Sequence, residues 1–314
     1  GGASGSISGD VLNHGALVFD RSDDTVFAGA ISGNGALSQR GAGGLRLNGI
    51  NTYTGGTEIS SGTLTGSATS FGSGDIVNDA ALVIDQPTNA LFANQVSGSG
   101  QLTKQGAGTL TLTADHTFSG GTTISAGTLE LGNGGSTGSL TGAILNNARL
   151  TLNRTGALTL GLISGTGALN HIGTGTTLLT GNNTYLGNTQ IDAGEVQLRG
   201  GAQVSGTALT QTQGGASLLV SGAGTLWSTD RIRIGQAGSG DASLTIEQGA
   251  RMVATGNQQS DVGIGLTGGS VSVIVRDQGS ELSVGGTYSI GPATTPGIEA
   301  STQVINGGSL SSVN

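Results

Sequence analysis

A motif that returns in register over most of the chain limits the fold more than any other feature. Ile31-Ser-Gly-Asn-Gly-Ala-Leu37 comes back as Val96-Ser-Gly-Ser-Gly-Gln-Leu102 and as Ile163-Ser-Gly-Thr-Gly-Ala-Leu169, a period of roughly 65 residues. Each copy continues through Gly41-Ala-Gly43, Gly106-Ala-Gly108 and Gly173-Thr-Gly175, then through Asn51-Thr-Tyr53, His116-Thr-Phe118 and Asn183-Thr-Tyr185. Each closes on an Ile and a Gly: Ile59 and Gly62, Ile124 and Gly127, Ile191 and Gly194. Ahead of each copy lies another shared stretch, beginning Leu12-Asn-His14, Val77-Asn-Asp79 and Leu145-Asn-Asn147, so the repeat fills its whole period. Long in-register self-similarity is what stacked structural units require and what a single globular core does not.

From about residue 210 the pattern changes. Leu219-Val-Ser-Gly-Ala-Gly-Thr-Leu-Trp227 is echoed by Ile274-Val-Arg-Asp-Gln-Gly-Ser-Glu-Leu282, at a shorter period of roughly 55 residues. The organisation expected is therefore 1–209 with three long repeats and 210–314 with a second, shorter type. In both, stretches such as Thr128-Leu-Glu-Leu131 and Ser243-Leu-Thr-Ile246 alternate apolar and polar residues at period two, the mark of short strands with one buried face. Gly and Asn bracket them, as turns needing positive φ require. The longer period divides into three coils of roughly 20 to 22 residues, the size of a solenoid rung. The sequence predicts an all-β, right-handed parallel β-helix of roughly 14 rungs stacked about 4.8 Å apart. A β-sandwich is the competing all-β fold, but it does not demand such a repeat.

Composition agrees. Gly supplies 62 of 314 residues, about one in five against a usual ~7%, and at that density helices are penalised by roughly 1 kcal/mol per Gly relative to Ala. Only 3 Pro interrupt the supply of backbone N–H groups, so long ladders are available. With 11 Lys and Arg against 19 Asp and Glu and no basic cluster, a nucleic-acid partner is excluded. There is no Cys, hence no disulfide framework. No apolar run is long enough for a transmembrane helix, and the start lacks a signal-peptide pattern, so an export signal is expected outside these residues. The uncapped ends suggest a segment of a longer protein.

The run Gly98-Ser-Gly-Gln-Leu-Thr-Lys-Gln-Gly-Ala-Gly-Thr-Leu-Thr-Leu112, with Phe118-Ser-Gly-Gly-Thr-Thr-Ile-Ser-Ala-Gly-Thr-Leu-Glu-Leu131, resembles the passenger-associated transport repeat of bacterial autotransporters, type V secreted surface proteins. The resemblance covers three copies over residues 31 to 198, the third departing at Leu186-Gly-Asn188. The stretch from 214 to 314, with Ile232-Arg-Ile-Gly235 and Ile246-Glu-Gln-Gly249, resembles another strand repeat of such passengers. The resemblance implies a Gram-negative passenger, carried by a C-terminal β-barrel translocator outside this chain, at the cell surface or secreted, with repeats that assist export and folding. The lack of Cys fits passage through a narrow pore.

Chemistry-bearing residues are sparse. His116 shares its slot with Asn51 and Asn183 and reads as a turn residue; His14 shares one with Asp79 and Asn147; His171 aligns with Gln39 and Lys104. No Gly-x-Ser-x-Gly elbow opens a helix. Asp20, Asp23 and Asp24 are the one local carboxylate group, with an acid pair or Ca²⁺ site as the functional reading and a solvated corner as the ordinary one. The Gly-Ser-Gly-Asp units at Gly72 to Asp75 and Gly238 to Asp241 stand alone rather than in series. Trp227 has Leu282 as its repeat partner and reads as core rather than a sugar platform; Tyr53, Phe118 and Tyr185 share one slot and are expected to stack together or cover a rung edge. The expectation is a non-enzymatic stalk and adhesin module, with no catalytic, cofactor or metal residues and no cofactor. A host-cell or matrix ligand, a glycan, or self-association between cells are the partners left open. A β-helix enzyme acting on polysaccharide, with a wide groove gathering Asp20, Asp23 or Asp24 beside a basic residue, and a ligand-free export scaffold are the alternatives.

Overall fold

The computed structural model describes residues 1–236, 240–262, 269–291 and 299–312. It is an all-β parallel β-solenoid without helices among these residues. Two compact units are distinguished, 1–133 with 137–148, and 134–136 with 149–314.

In the first unit short strands recur on successive sides of each turn and pair only in parallel. One sheet runs through Ala16–Phe19, Ala36–Gln39, Thr57–Ile59, Ile76–Asn78 and Val96–Ser97. A second runs through Thr25–Phe27, Gly44–Leu47, Thr63–Gly66, Ala81–Asp85, Gln101–Gln105, Thr122–Ile124 and Ile144–Asn146. A third holds Ala90–Phe92, Thr109–Leu112 and Thr128–Leu131. Leu37 pairs with Thr57 and Leu82 with Leu102, so one turn takes roughly 20 residues, within the usual range of a solenoid rung. Alternation turns Leu45, Leu64, Leu82 and Leu102 inward as one stacked row, every member almost wholly buried. Each such side chain contributes roughly 2 kcal/mol by leaving water.

The repeat period is not a whole number of turns. From Leu37, three steps along the first sheet lead to Val96, and Leu102, the matching residue of the second copy, lies one side further on, in the second sheet. The expected three coils per repeat are thus three turns plus one side, because the corners hold each turn to slightly less than a third of the period.

The second unit has two main sheets, one containing Arg149–Leu152, Ala168–His171, Thr189–Ile191 and Leu226–Ile234, the other containing Thr176–Leu179, Gly194–Arg199, Ala216–Ser221 and Ala242–Glu247. Its turns lengthen along the chain. Leu169 pairs with Thr189, Leu218 with Leu244, and Met252 with Leu282, the last turn being half as long again as the first.

Candidate functional site

The repeated motif builds a corner. In the first copy, Gly41-Ala-Gly43 runs so close under the previous turn that a Cβ at Gly41 would sit 2.0 Å from the Arg21 carbonyl oxygen. The closing Gly62, at φ 68°, lies on this corner, and a Cβ there would fall 2.3 and 2.4 Å from the Gly43 and Gly41 oxygens. Gly127 and Gly194 repeat the arrangement at φ 66° and 64°. Such corners leave carbonyls facing inward, and buried carbonyls need donors.

The slot of Gln39, Lys104 and His171 supplies them. Gln39 Nε2 donates to the Gly41 and Gly43 oxygens, both at 2.9 Å. Lys104 Nζ donates to Gln105, Gly106 and Ala126 at 2.7, 2.8 and 3.1 Å. His171 Nδ1 lies 2.8 Å from the Ala193 oxygen. All three are buried, and burial lowers the pKa of Lys104 and of His171 below their ordinary values. These positions, read from sequence as variable and polar, carry interior donors of three chemistries for one job. Lys104 is also the chain's sole lysine.

A second slot bridges turns. Asn51 Oδ1 accepts the Ile31 N–H at 2.7 Å, and Asn183 Oδ1 accepts the Ile163 N–H at 2.9 Å. His116 does the same through Nδ1, accepting the Val96 N–H at 3.2 Å. It is therefore an interior bridge rather than a turn residue. Acceptance at Nδ1 leaves the ring proton on Nε2, which is buried without a hydrogen-bond partner. Burial pushes the His116 pKa down to about 4, against a smaller opposing pull from Asp115. The ring lies in a file of aromatic neighbours, Phe71 to Phe92 at 6.2 Å, Phe92 to His116 at 6.3 Å and His116 to Phe118 at 6.2 Å. Asn13, Asn78 and Asn146, the Asn common to the stretches that begin at Leu12, Val77 and Leu145, form a third such slot; the repeat marks the position but not its interior role. The side chains of Asn13 and Asn78 cap the Ala36 and Gln101 oxygens, both at 2.9 Å.

The aromatic slot behaves otherwise than expected. Tyr53 and Tyr185 do not stack on their counterparts; each is fully buried with its hydroxyl 2.6 or 2.7 Å from Thr57 or Thr189 Oγ1. Within the first unit, Tyr53 and Phe118 lie three turns and one side apart, too far to touch. Phe118 has no hydroxyl, and Thr122 Oγ1 is left buried without a partner. Trp227 is core, in register between Val204 and Met252, its Nε1 donating to Thr210 Oγ1 at 2.9 Å.

The three carboxylates do not converge. A cleft of about 420 Å³ is lined by Asp20 and Arg21 with Ile7, Val18, Phe19 and Val26, while Asp23 and Asp24 are not among its walls. Arg21 is engaged by Asp23 at 3.0 and 2.8 Å, which holds that carboxyl below its ordinary range. Asp24 Oδ1 accepts the Gly44 N–H at 2.7 Å. Asn34 Oδ1 lies 2.9 Å from His14 Nδ1 at the exposed surface. Among the described residues no cluster of three or more His, Asp or Glu is arranged to hold a metal. Gly238 and Ser239 of the second Gly-Ser-Gly-Asp unit lie outside the described residues.

Most of what the copies share is inward or at corners: Leu37, Leu102 and Leu169, then Ile59, Ile124 and Ile191, are all fully buried, while one shared Thr, present as Thr52, Thr117 and Thr184, is exposed. What they do not share falls on strand positions that alternate with the inward ones: Arg46, Thr111 and Leu178, of which Thr111 is covered; Glu58, Thr123 and Gln190; Thr65, Glu130 and Gln197. A recurring corner and interior, with varied side chains at most outward strand positions, define a structural repeat, and comparison with known families identifies it. The Passenger-associated-transport-repeat family matches residues 37–78, 102–131 and 169–198. The chain is a β-helix segment of an autotransporter passenger, a class found at the cell surface or secreted. It is homologous to the adhesin BmaC autotransporter of Brucella suis biovar 1 (strain 1330), with 36% identity over 310 residues, covering 83% of this chain and 9% of that protein. No solved structure matches the chain.

Proposed function

We propose that this chain is a non-enzymatic stalk and adhesin module of a Gram-negative, outer-membrane-attached passenger, and that its transport repeats support export and folding. The carrying observation is the division of labour between inward and outward positions. Shared residues fill the interior and satisfy corner carbonyls, so the repeats act by specifying turns; each turn needs only its neighbour as template, which suits a chain that folds as it emerges. Most outward strand residues differ between copies, and the first two copies present their matching strands on different sheets of the first unit. Ligand contact then falls to distributed outward surface. On this reading 1–209 is the transport-repeat β-helix and 210–314 its continuation in a second repeat type.

The relative's name, an adhesin, supports binding to a host-cell or matrix component, a glycan, or the same passenger on another cell, with translocation by a β-barrel encoded elsewhere in the full protein. The test deletes residues 31–196 from the full-length protein and measures passenger export, surface display and adhesion together. Reduced export supports the scaffold role and reduced adhesion per displayed molecule supports ligand contact within these turns; undiminished export refutes the assignment of export support, and undiminished adhesion per displayed molecule refutes that of ligand contact.

A further inference from the structure

We propose that a polar cleft on the second sheet of the first unit, between Arg46 and Asp85, binds a neutral hexose unit of a glycan. The inference rests on the surface-binding reading above and deepens it.

The cleft arises from a size mismatch among three neighbouring strands. The middle strand, Thr63–Gly66, ends in the small pair Gly66-Ser67, while the strand before it brings Arg46 and Asn48, and the strand after it Asp85 and Pro87. Arg46 reaches across the middle strand, donating from Nη2 to Asp85 Oδ2 at 2.9 Å, and from Nε to Asn48 Oδ1 at 3.2 Å. Beneath this bridge lie the hydroxyls of Ser67 and Ser70, 3.1 Å apart, and the buried Leu47. The cavity is about 230 Å³, room for one sugar ring and small beside the roughly 300–1,000 Å³ of drug-sized sites.

The turn does not need this feature. In the other copies the slot of Arg46 holds Thr111 and Leu178, and that of Gly66 holds Leu131 and Leu198, which fill the interior. In the first copy Phe71 folds in instead: a Cβ on Gly66 would meet Ser70 Cβ at 2.6 Å and Phe71 Cζ at 3.1 Å. The interior is thus refilled from the adjoining segment while the surface stays indented. Its chemistry selects the ligand. Arg46 and Asp85 cancel in charge, which disfavours an ionic ligand, yet with Asn48 and Ser67 they set a guanidinium, a carboxylate, an amide and a hydroxyl around one small space, the buried Ser70 hydroxyl supporting that of Ser67 from beneath. Donors and acceptors on the two sides of the cleft suit the hydroxyls of a sugar ring, and the exposed Pro87 offers apolar contact to ring C–H groups.

The experiment titrates the ¹⁵N-labelled full chain with the methyl glycosides of glucose, galactose and mannose, and separately with sodium glucuronate. A lone ring of this size is expected to bind with a Kd in the millimolar range. Saturable shifts at the amides of residues 46–48, 66, 67 and 85 with at least one glycoside, and weaker binding of glucuronate, are the expected result. Ser67→Leu, which fills the cleft, abolishes the response, and Asp85→Asn, which keeps its shape, weakens it at least about tenfold. No saturable shift, an undiminished response in both variants, or glucuronate binding as tightly as the glycosides overturns the proposal. If cells displaying the S67L passenger adhere normally and no glycoside binds, the cleft assignment fails while the surface-binding reading stands.

Discussion

Phe118→Tyr should stabilise the protein, because two of the three copies show what the third lacks. Tyr53 and Tyr185 each hold a buried Thr hydroxyl at 2.6 and 2.7 Å, whereas Thr122 Oγ1, in the same slot opposite Phe118, has no partner. A buried hydroxyl without a hydrogen bond costs about 1–3 kcal/mol, and a made one contributes about 1 kcal/mol net. The added phenolic oxygen must itself be desolvated, and the strength of that effect is visible in Tyr53, whose pKa burial pushes up to about 12 against the opposing Thr57 bond. The balance is a gain of about 1–2 kcal/mol. Solenoids open locally rather than all at once, so the assay is native-state hydrogen exchange of the amides of residues 117–131, not a single melting temperature. The gain must depend on Thr122: in a double-mutant cycle with Thr122→Val, Phe118→Tyr should lose its benefit and become destabilising, as the phenol is then the orphan. A Phe118→Tyr protein that opens more readily, or whose gain persists in the Thr122→Val background, refutes the claim that the slot works through this hydroxyl pair.

His116 has its pKa lowered in the folded state, from 6.5 to about 4, so its neutral form contributes stability that is complete above pH 6.5 and is lost as pH falls through that window, up to about 3 kcal/mol. His116→Asn should flatten the acid-side loss of protection of residues 96–118, measured by hydrogen exchange between pH 4 and 7; an unchanged profile would remove His116 as its cause. Lys104→Gln should be tolerated, since Gln39 does the same work in the first copy, while Lys104→Ala should cost about 2–4 kcal/mol by leaving three carbonyls without their donor; comparable urea sensitivity in the two would count against the corner-donor role. As the sole lysine, Lys104 should resist amine-reactive labels until its turn opens, and prompt labelling located at Lys104 by peptide mapping, apart from the N-terminal amine, would show that it is not sealed. Gly62→Ala, forced to φ 68° against two carbonyl oxygens, should cost at least about 2 kcal/mol in local opening free energy, and a neutral outcome would mean the corner is looser than its geometry.

The repeat, the strand alternation and the parallel solenoid are legible because each follows from local pattern: period-two alternation in Thr128–Leu131, glycine at the corners, and self-similarity of the motif from Ile31 to Gly62. The roles of polar residues are not, and the reason is physical. Sequence gives the residue type in a slot, but whether Asn51, His116 or Lys104 faces solvent or the interior depends on which carbonyls and N–H groups the corners leave unsatisfied. That Gln39, Lys104 and His171 occupy one slot is plain from the repeat; that all three are donors is the subtler clue, since a solvated position has no reason to exclude pure acceptors. Asp20, Asp23 and Asp24 fail in the opposite sense, being adjacent in sequence but committed to different partners.

The mismatch between the length of the repeat and the length of the turn separates two demands on the chain. A repeat equal to a whole number of turns would line up every copy's outward residues on one face, as a multivalent array requires. Here the first copy's Gly44–Leu47 and the second copy's Gln101–Gln105 share a sheet although they are different parts of the motif. The inward rows tolerate this because Leu45, Leu64, Leu82 and Leu102 are interchangeable as packing units whichever part of the motif supplies them. The outward positions at Arg46 and its counterparts Thr111 and Leu178 do not repeat, and Arg46 can therefore be joined to Asp85, two strands away, without disturbing any shared position. The interior is specified by the motif and most of the exterior is released from it, which is how a repeat that fixes the turns can carry a surface that varies independently of them.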